Sequence, residues 1–119
     1  MSIGPMMHGG GQWIMGNAIT AGGCFVLYTK KRFDAMDVWR LVADAVVTSV
    51  STIGDAMARP LAEALLVEPR PDVDLSMLFA IGNGGAPLSA GVREQIRAAL
   101  PNVAILDSFG ASEIGRAHV

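Results

Sequence analysis

Two short stretches hold residue types that could meet a nucleotide. Gly82-Asn83-Gly84-Gly85-Ala86-Pro87 places three glycines between an apolar run and a helix signal. Glycine has no Cβ, so the backbone can approach a ligand closely, and N–H groups ahead of a helix start suit phosphate or a base edge. The same residues would equally serve as a tight strand-to-helix turn. Farther on, Asp107-Ser108-Phe109-Gly110-Ala111-Ser112-Glu113 offers an aromatic face for a base, a hydroxyl for phosphate and a carboxylate for a hard cation such as Mg²⁺. Taken alone, its Ser-Glu pair is ordinary turn chemistry. His8, just before Gly9-Gly10-Gly11, is a third candidate, although a lone histidine beside glycines also serves as a packing or loop residue. Trp13 and the Met6-Met7 pair could line an apolar pocket, but such side chains are more often core.

The elements that must position these residues alternate along the chain. Residues 13–20 fit a short helix ended by Gly22-Gly23, and residues 24–28 a buried strand. Asp34 is an N-cap candidate for a helix with Asp37 in its first turn and Val38, Leu41, Val42 and Ala45 on one face, with Trp39 beside it. Residues 46–51 are β-branched and short, hence a strand. Gly54-Asp55 starts a helix running to Leu66 that Pro60 must kink or re-start. Residues 77–81 read as a buried strand, residues 82–87 as a turn, and Ser89 as the cap of a helix with Val92, Ile96, Ala99 and Leu100 on one side. Pro101-Asn102 stops that helix, and residues 103–106 form the next strand, with residues 107–110 at its carboxyl end. The alternation implies an α/β layer with a largely parallel sheet, and such sheets bind ligands beyond the carboxyl ends of their strands. Both candidate loops are so placed.

Composition narrows the function classes. The 119 residues are 51% hydrophobic and 17% charged, with mean hydropathy +0.42. A free-standing small domain needs more polar surface, so the chain reads as a piece of a larger protein's interior. A net charge of −2 excludes the clustered basic face that nucleic acid requires. Lys30-Lys31-Arg32 is the one basic run and reads as a solvated loop. Cys24 is the single cysteine, so no internal disulfide can form, and its apolar neighbours predict a buried structural thiol in a reducing, cytoplasmic setting. No apolar run is long enough for a transmembrane segment, and the first residues lack the basic start of a signal peptide.

Three segments together resemble a known family. Gly84-Gly85-Ala86-Pro87-Leu88 is similar to the adenine-binding turn of the adenylate-forming enzymes, the superfamily of acyl-CoA synthetases, peptide-synthetase adenylation domains and luciferases. Phe109-Gly110-Ala111-Ser112-Glu113 resembles its aromatic-Gly-x-(Thr/Ser)-Glu motif, and Pro5-Met6-Met7-His8 its upstream Pro-x-x-His segment. The resemblance implies that residues 1–113 belong to the large N-terminal AMP-binding domain. It implies an ATP/AMP site of Gly84, Gly85, Ala86, Pro87, Asp107, Ser108, Phe109, Gly110 and Ser112, with Phe109 near adenine and Ser112 at phosphate. Ser112 and Glu113 would be the catalytic pair, Glu113 the Mg²⁺ ligand, and His8 a border of the acyl or CoA channel. The implied activity joins a carboxylic acid to ATP and then to the thiol of coenzyme A. The apolar residues 5–13 favour a fatty or other hydrophobic acid. The family's Ser/Thr/Gly phosphate loop, ribose-binding Asp and Lys-bearing C-terminal domain have no counterpart in these residues, which implies an internal segment that is inactive alone.

Other readings remain open at this point. A dinucleotide-binding oxidoreductase fits Gly82-x-Gly84 and an Asp107 that ends the next strand 20 residues after Pro87, but Pro87 stands where the third glycine should be. A serine hydrolase would need glycine where Ile114 stands, two residues after Ser112. A peptide-synthetase adenylation domain shares the motifs, and a non-enzymatic binding module shares the composition. Residues 114–119 match one translated frame of a common short-read sequencing adapter, so the natural sequence is expected to end at or near Glu113, leaving His118 without a role. Amplifying the locus from source DNA should return different codons there; finding these six continued by a long open frame would refute the expectation.

Overall fold

The computed structural model describes residues 1–111 and the backbone of Gly115–His118. Helices α1 (Gly9–Thr20), α2 (Ala35–Asp44), α3 (Gly54–Leu66) and α4 (Ala90–Ala99) alternate with strands β1 (Ser49–Thr52), β2 (Ala80–Asn83) and β3 (Ala104–Ala111). The three strands are parallel in the order β1-β2-β3, and β4 (Gly115–His118) pairs antiparallel to β3. At the other edge Ser2 bridges both Ser51 and Leu27 in parallel sense. The expected α/β layer with a largely parallel sheet is what forms. No helix among the described residues is long and apolar enough to cross a membrane.

The register explains the core. Val50, Ile81 and Ile105 stand side by side across the sheet, and Thr52, Asn83 and Asp107 form the next row on the same face. Leu61 and Ala62 of α3 and Ile96 of α4 close over Thr52 and Ile81, together with Trp39 of α2. Trp39 is wholly buried and its Nε1–H donates to the Leu61 carbonyl at 2.9 Å, so the indole fills the core without an unsatisfied donor. The row between holds Ser51, Gly82 and Leu106, and Leu106 is 49% exposed. That face of the sheet therefore stays open among the described residues.

The caps follow the expected chemistry. Asp34 accepts from Asp37 N–H at 2.9 Å and Ser89 from Val92 N–H at 3.4 Å, as helix-capping side chains do. Pro60 sits within α3 without ending it, because Ala56, whose carbonyl loses its helical partner, is exposed and can bond water.

Several boundaries differ from expectation for local reasons. Helix α1 starts at Gly9 rather than Trp13, taking in the glycine run, and Gly11 packs closely there, since a Cβ on it would come within 3.1 Å of Pro5 O. Residues 24–28 form no strand, and Cys24 is exposed, not buried. Only Leu27 bridges Ser2, and while Val26 and Tyr28 pack against the core, Leu27 is 42% exposed. Strand β2 takes in Gly82 and Asn83, which were expected to turn. Strand β3 continues through residues 107–111, which were expected to be loop: Asp107 still pairs with Asn83 of β2, and residues 108–111 pair with β4, which falls within the residues that match the adapter frame. Ala45 caps α2 and is exposed instead of completing its apolar face.

Residues 46 and 47 end α2 rather than beginning β1. Val46 N–H donates to Ala43 O and Val47 N–H to Val42 O, with Val46 at φ 52. This left-handed closing position normally holds glycine, since a branched Cβ is strained there. Val46→Gly should therefore raise the unfolding free energy by about 1 kcal/mol in urea titration; an unchanged or lower midpoint would contradict the strained geometry.

Candidate functional site

The carboxyl ends of β1 and β2 and the middle of β3 converge on the first glycine-rich loop. After β1 the chain enters α3 through Gly54, which has φ +57; a Cβ on it would lie 2.6 Å from Ala86 Cβ and 2.9 Å from Pro87 O. Only glycine meets both demands, so the β1–α3 turn and the 84–87 loop lie in direct contact. Gly84 N–H donates to Thr52 O at 3.3 Å. A Cβ on Gly84 would stand 2.8 Å from Ser108 Oγ, and Gly85 takes φ +77. These glycines let three backbone segments approach within van der Waals distance.

Asn83 ties the segments together. Its side chain is buried, with Oδ1 accepting from Gly54 N–H at 2.7 Å and Nδ2 donating to Ala86 O at 3.1 Å and Asp107 Oδ1 at 3.3 Å. Its backbone carbonyl accepts from Ser108 Oγ at 3.1 Å. Asp107 is held on its other oxygen by Arg93 of α4 at 2.5 Å. Asp55, in the first turn of α3, accepts from Ser89 N–H at 2.8 Å, linking the amino ends of α3 and α4. Hydrogen bonding from Ser89, aided by the Arg59 guanidinium, holds the Asp55 carboxyl below its usual range.

A cavity of about 340 Å³ opens beside this junction. It is lined by His8 and the Gly9-Gly10-Gly11 run of α1, by Thr52 and Ile53, by Gly84-Gly85, and by Ser108, Gly110 and Ala111. Four segments far apart in sequence thus meet at one opening. His8 is exposed at the start of α1 and makes no side-chain cap bond. Trp13 also lines the cavity. Ala86 and Pro87 pack against Gly54 instead of lining it, and Asp107 points to the helix-covered face. Phe109 is 61% exposed and lies outside the lining. Ser112 and Glu113 lie outside the described residues.

Four residues of this junction were not singled out from the sequence. Asn83 was hidden inside a glycine run that read as a turn, and Gly54 read as a helix start without its contact to Ala86. A glycine directly between a strand and a helix is the signal that could have found Gly54. Arg93 and Asp55 meet their partners across 14 and 34 residues, which no local periodicity reports.

The profile of the AMP-binding enzyme family matches residues 1–119. The 3-oxocholest-4-en-26-oate–CoA ligase of Rhodococcus rhodochrous is 38% identical over 95% of this chain and 20% of its own length. The medium-chain acyl-CoA ligase of Mycobacterium avium is 39% identical over 97% of this chain and 20% of its own. The chain thus spans about a fifth of the length of the curated relatives it matches. Among solved structures, the luciferase-like enzyme of the mealworm Zophobas morio superposes with TM-score 0.81 at 22% identity, over 97% of this chain and 26% of that one. A long-chain-fatty-acid-CoA ligase of Archaeoglobus fulgidus gives 0.81 at 16% identity, over 94% and 23%. These two likenesses are of fold.

Two substitutions probe the junction. Gly54→Ala should lose about 2–4 kcal/mol of stability in denaturant unfolding, combining left-handed strain with overlap on Ala86; an unchanged midpoint would contradict the contact. For Asp55, a lowered folded pKa means stabilisation that is complete above the unfolded value near ~4 and is lost as pH falls through the folded one. The thermal-stability gap between the wild type and Asp55→Asn should therefore be full at neutral pH and close in acid. A gap that widens in acid would show the opposite linkage.

Proposed function

Because the chain belongs to the AMP-binding enzyme family, we propose that it forms part of the nucleotide site of an ATP-dependent acyl-CoA ligase that activates medium- or long-chain hydrophobic acids. The observation that carries the reading is the one cavity on which Gly84-Gly85, Ser108, Gly110 and His8 converge. Curated relatives named as ligases of medium-chain acyl and steroid-type acids support the substrate class.

The reaction has two balanced steps. A substrate carboxylate oxygen attacks the α-phosphorus of ATP, releasing pyrophosphate and leaving an acyl adenylate. The thiol of coenzyme A then attacks the acyl carbon, AMP departs and the thiol proton passes to solvent or a base. Gly84-Gly85 would present backbone to the adenosine part and Ser108 would keep that backbone in place, so their contribution is positioning. His8 would border the channel through which acid and thiol approach.

Mg²⁺ belongs to this proposal only through Glu113. Among the described residues no three metal-ligating side chains cluster. Both oxygens of Asp107 are occupied by Arg93 and Asn83. A bound cation would neutralise phosphate oxygens, and Glu113 is the ligand the motif suggests.

The dinucleotide reading loses ground on the same geometry, since an Asp107 held by Arg93 and Asn83 is not free for a ribose hydroxyl.

The test is a segment exchange in which residues 1–113 replace the matched stretch of the Mycobacterium avium ligase. The exchanged enzyme should catalyse ATP–pyrophosphate exchange with medium- or long-chain acids in preference to acetate, while the isolated 119-residue chain shows none. No exchange with any acid by a folded chimera would refute the proposal. In that chimera Glu113→Ala should slow adenylation by roughly 10²–10⁴ and thiol transfer from supplied acyl adenylate by about tenfold or less. Equal, near-parental rates in both half-reactions would remove Glu113 from the metal site.

A further inference from the structure

Resting on the nucleotide-site reading above, we infer that Asn83 is a positioning residue for nucleotide binding: its carboxamide sets the 84–87 loop and Ser108 against the β1–α3 turn without itself entering the cavity. Three observations carry this. The side chain is 5% exposed and absent from the cavity lining, so it acts through other residues. Its hydrogen-bonding capacity is spread over three segments, with Oδ1 on Gly54 N–H and the Nδ2 protons on Ala86 O and Asp107 Oδ1. The next residues along the chain, Gly84 and Gly85, line the cavity, and so does Ser108, which donates to Asn83's own carbonyl.

The chemistry leaves little room for another residue. An aspartate would keep the acceptor for Gly54 but lose both donors and face the Asp107 carboxylate. An alanine would leave Gly54 N–H and Ala86 O without their partners in a closed place. Gly54 is the steric complement, since its missing Cβ is what allows Ala86 and Pro87 to stand where Asn83 holds them. Arg93 keeps the second Asp107 oxygen turned away, leaving Oδ1 to the carboxamide. A shift of Asn83 would therefore move the loop floor and Ser108 together.

The experiment uses the chimera described above, in its parental form and with Asn83→Ala, Asn83→Asp, Asp107→Asn and the exchanged pair Asn83→Asp/Asp107→Asn. KM for ATP is measured beside KM for the acid, and amide exchange is followed by mass spectrometry on peptides covering Gly54 and residues 84–87. The inference predicts that Asn83→Ala and Asn83→Asp raise KM for ATP about tenfold or more with little change in KM for the acid. It also predicts that the exchanged pair binds ATP better than Asn83→Asp alone, because donor and acceptor again face each other. A residue that only supports the fold would lower the active fraction and leave KM unmoved. Unmoved KM for ATP, or a loss that the exchanged pair does not reduce, overturns the inference. An inactive parental chimera would count against the ligase reading instead. Amide exchange then decides the positioning role: faster exchange confined to the two peptides in Asn83→Ala supports it, and unchanged protection overturns it.

Discussion

A buried carboxamide must find partners for its oxygen and both of its protons, and Asn83 finds them on the start of α3, the 84–87 loop and β3 at once. Leaving any of those groups unpaired in a closed site is costly, so the β1–α3 turn, the 84–87 loop and β3 are held to one mutual arrangement. The glycines around it follow from that demand. Gly54 and Gly84 sit where any Cβ would overlap Ala86 or Ser108, and these absences bring the backbones close enough for the carboxamide to reach. The polar tie and the steric gaps are two sides of one constraint.

Parallel pairing supplies the frame for this junction. Because β1, β2 and β3 run in one direction, the carboxyl ends of β1 and β2 fall together beside Asp107 and Ser108 of β3, and each connection between these strands must return through a helix. Trp39, Leu61 and Ile96 bury the returning helices on one face and leave the other for the cavity and its glycine-rich neighbour α1. The Asp55 bond to Ser89 N–H then pins the amino ends of α3 and α4 beside each other at the same edge. Core, helix starts and candidate site are thus fastened at a single level of the sheet.

What could be read from residue order was what depends on local pattern. Asp34 and Ser89 announced their helices because capping is a contact over two or three residues, and the strand–helix alternation announced the sheet. Gly84-Gly85 and Ser108-Gly110 were legible as site candidates through motif and position, and the cavity brings them together with His8. The exposure of Cys24 was not legible, since an apolar pentapeptide looks the same whether or not anything lies outside it. Nor was the extension of β3 through residues 107–111, whose last four residues pair in this chain with the adapter-like residues 115–118. Asn83 looked like turn filler because its role arises only when residues 54, 86 and 107 are brought around it.

A crystal structure of the segment-exchanged ligase with a non-hydrolysable acyl-adenylate analogue tests the account most directly. It should hold the adenosine part in the cavity bounded by Gly84-Gly85 and Gly110-Ala111, with Asn83 still bonded to Gly54 N–H and Ala86 O and no contact from its side chain to the ligand. An analogue bound elsewhere, or a loop that reaches it only after the Asn83 bonds break, would contradict the account.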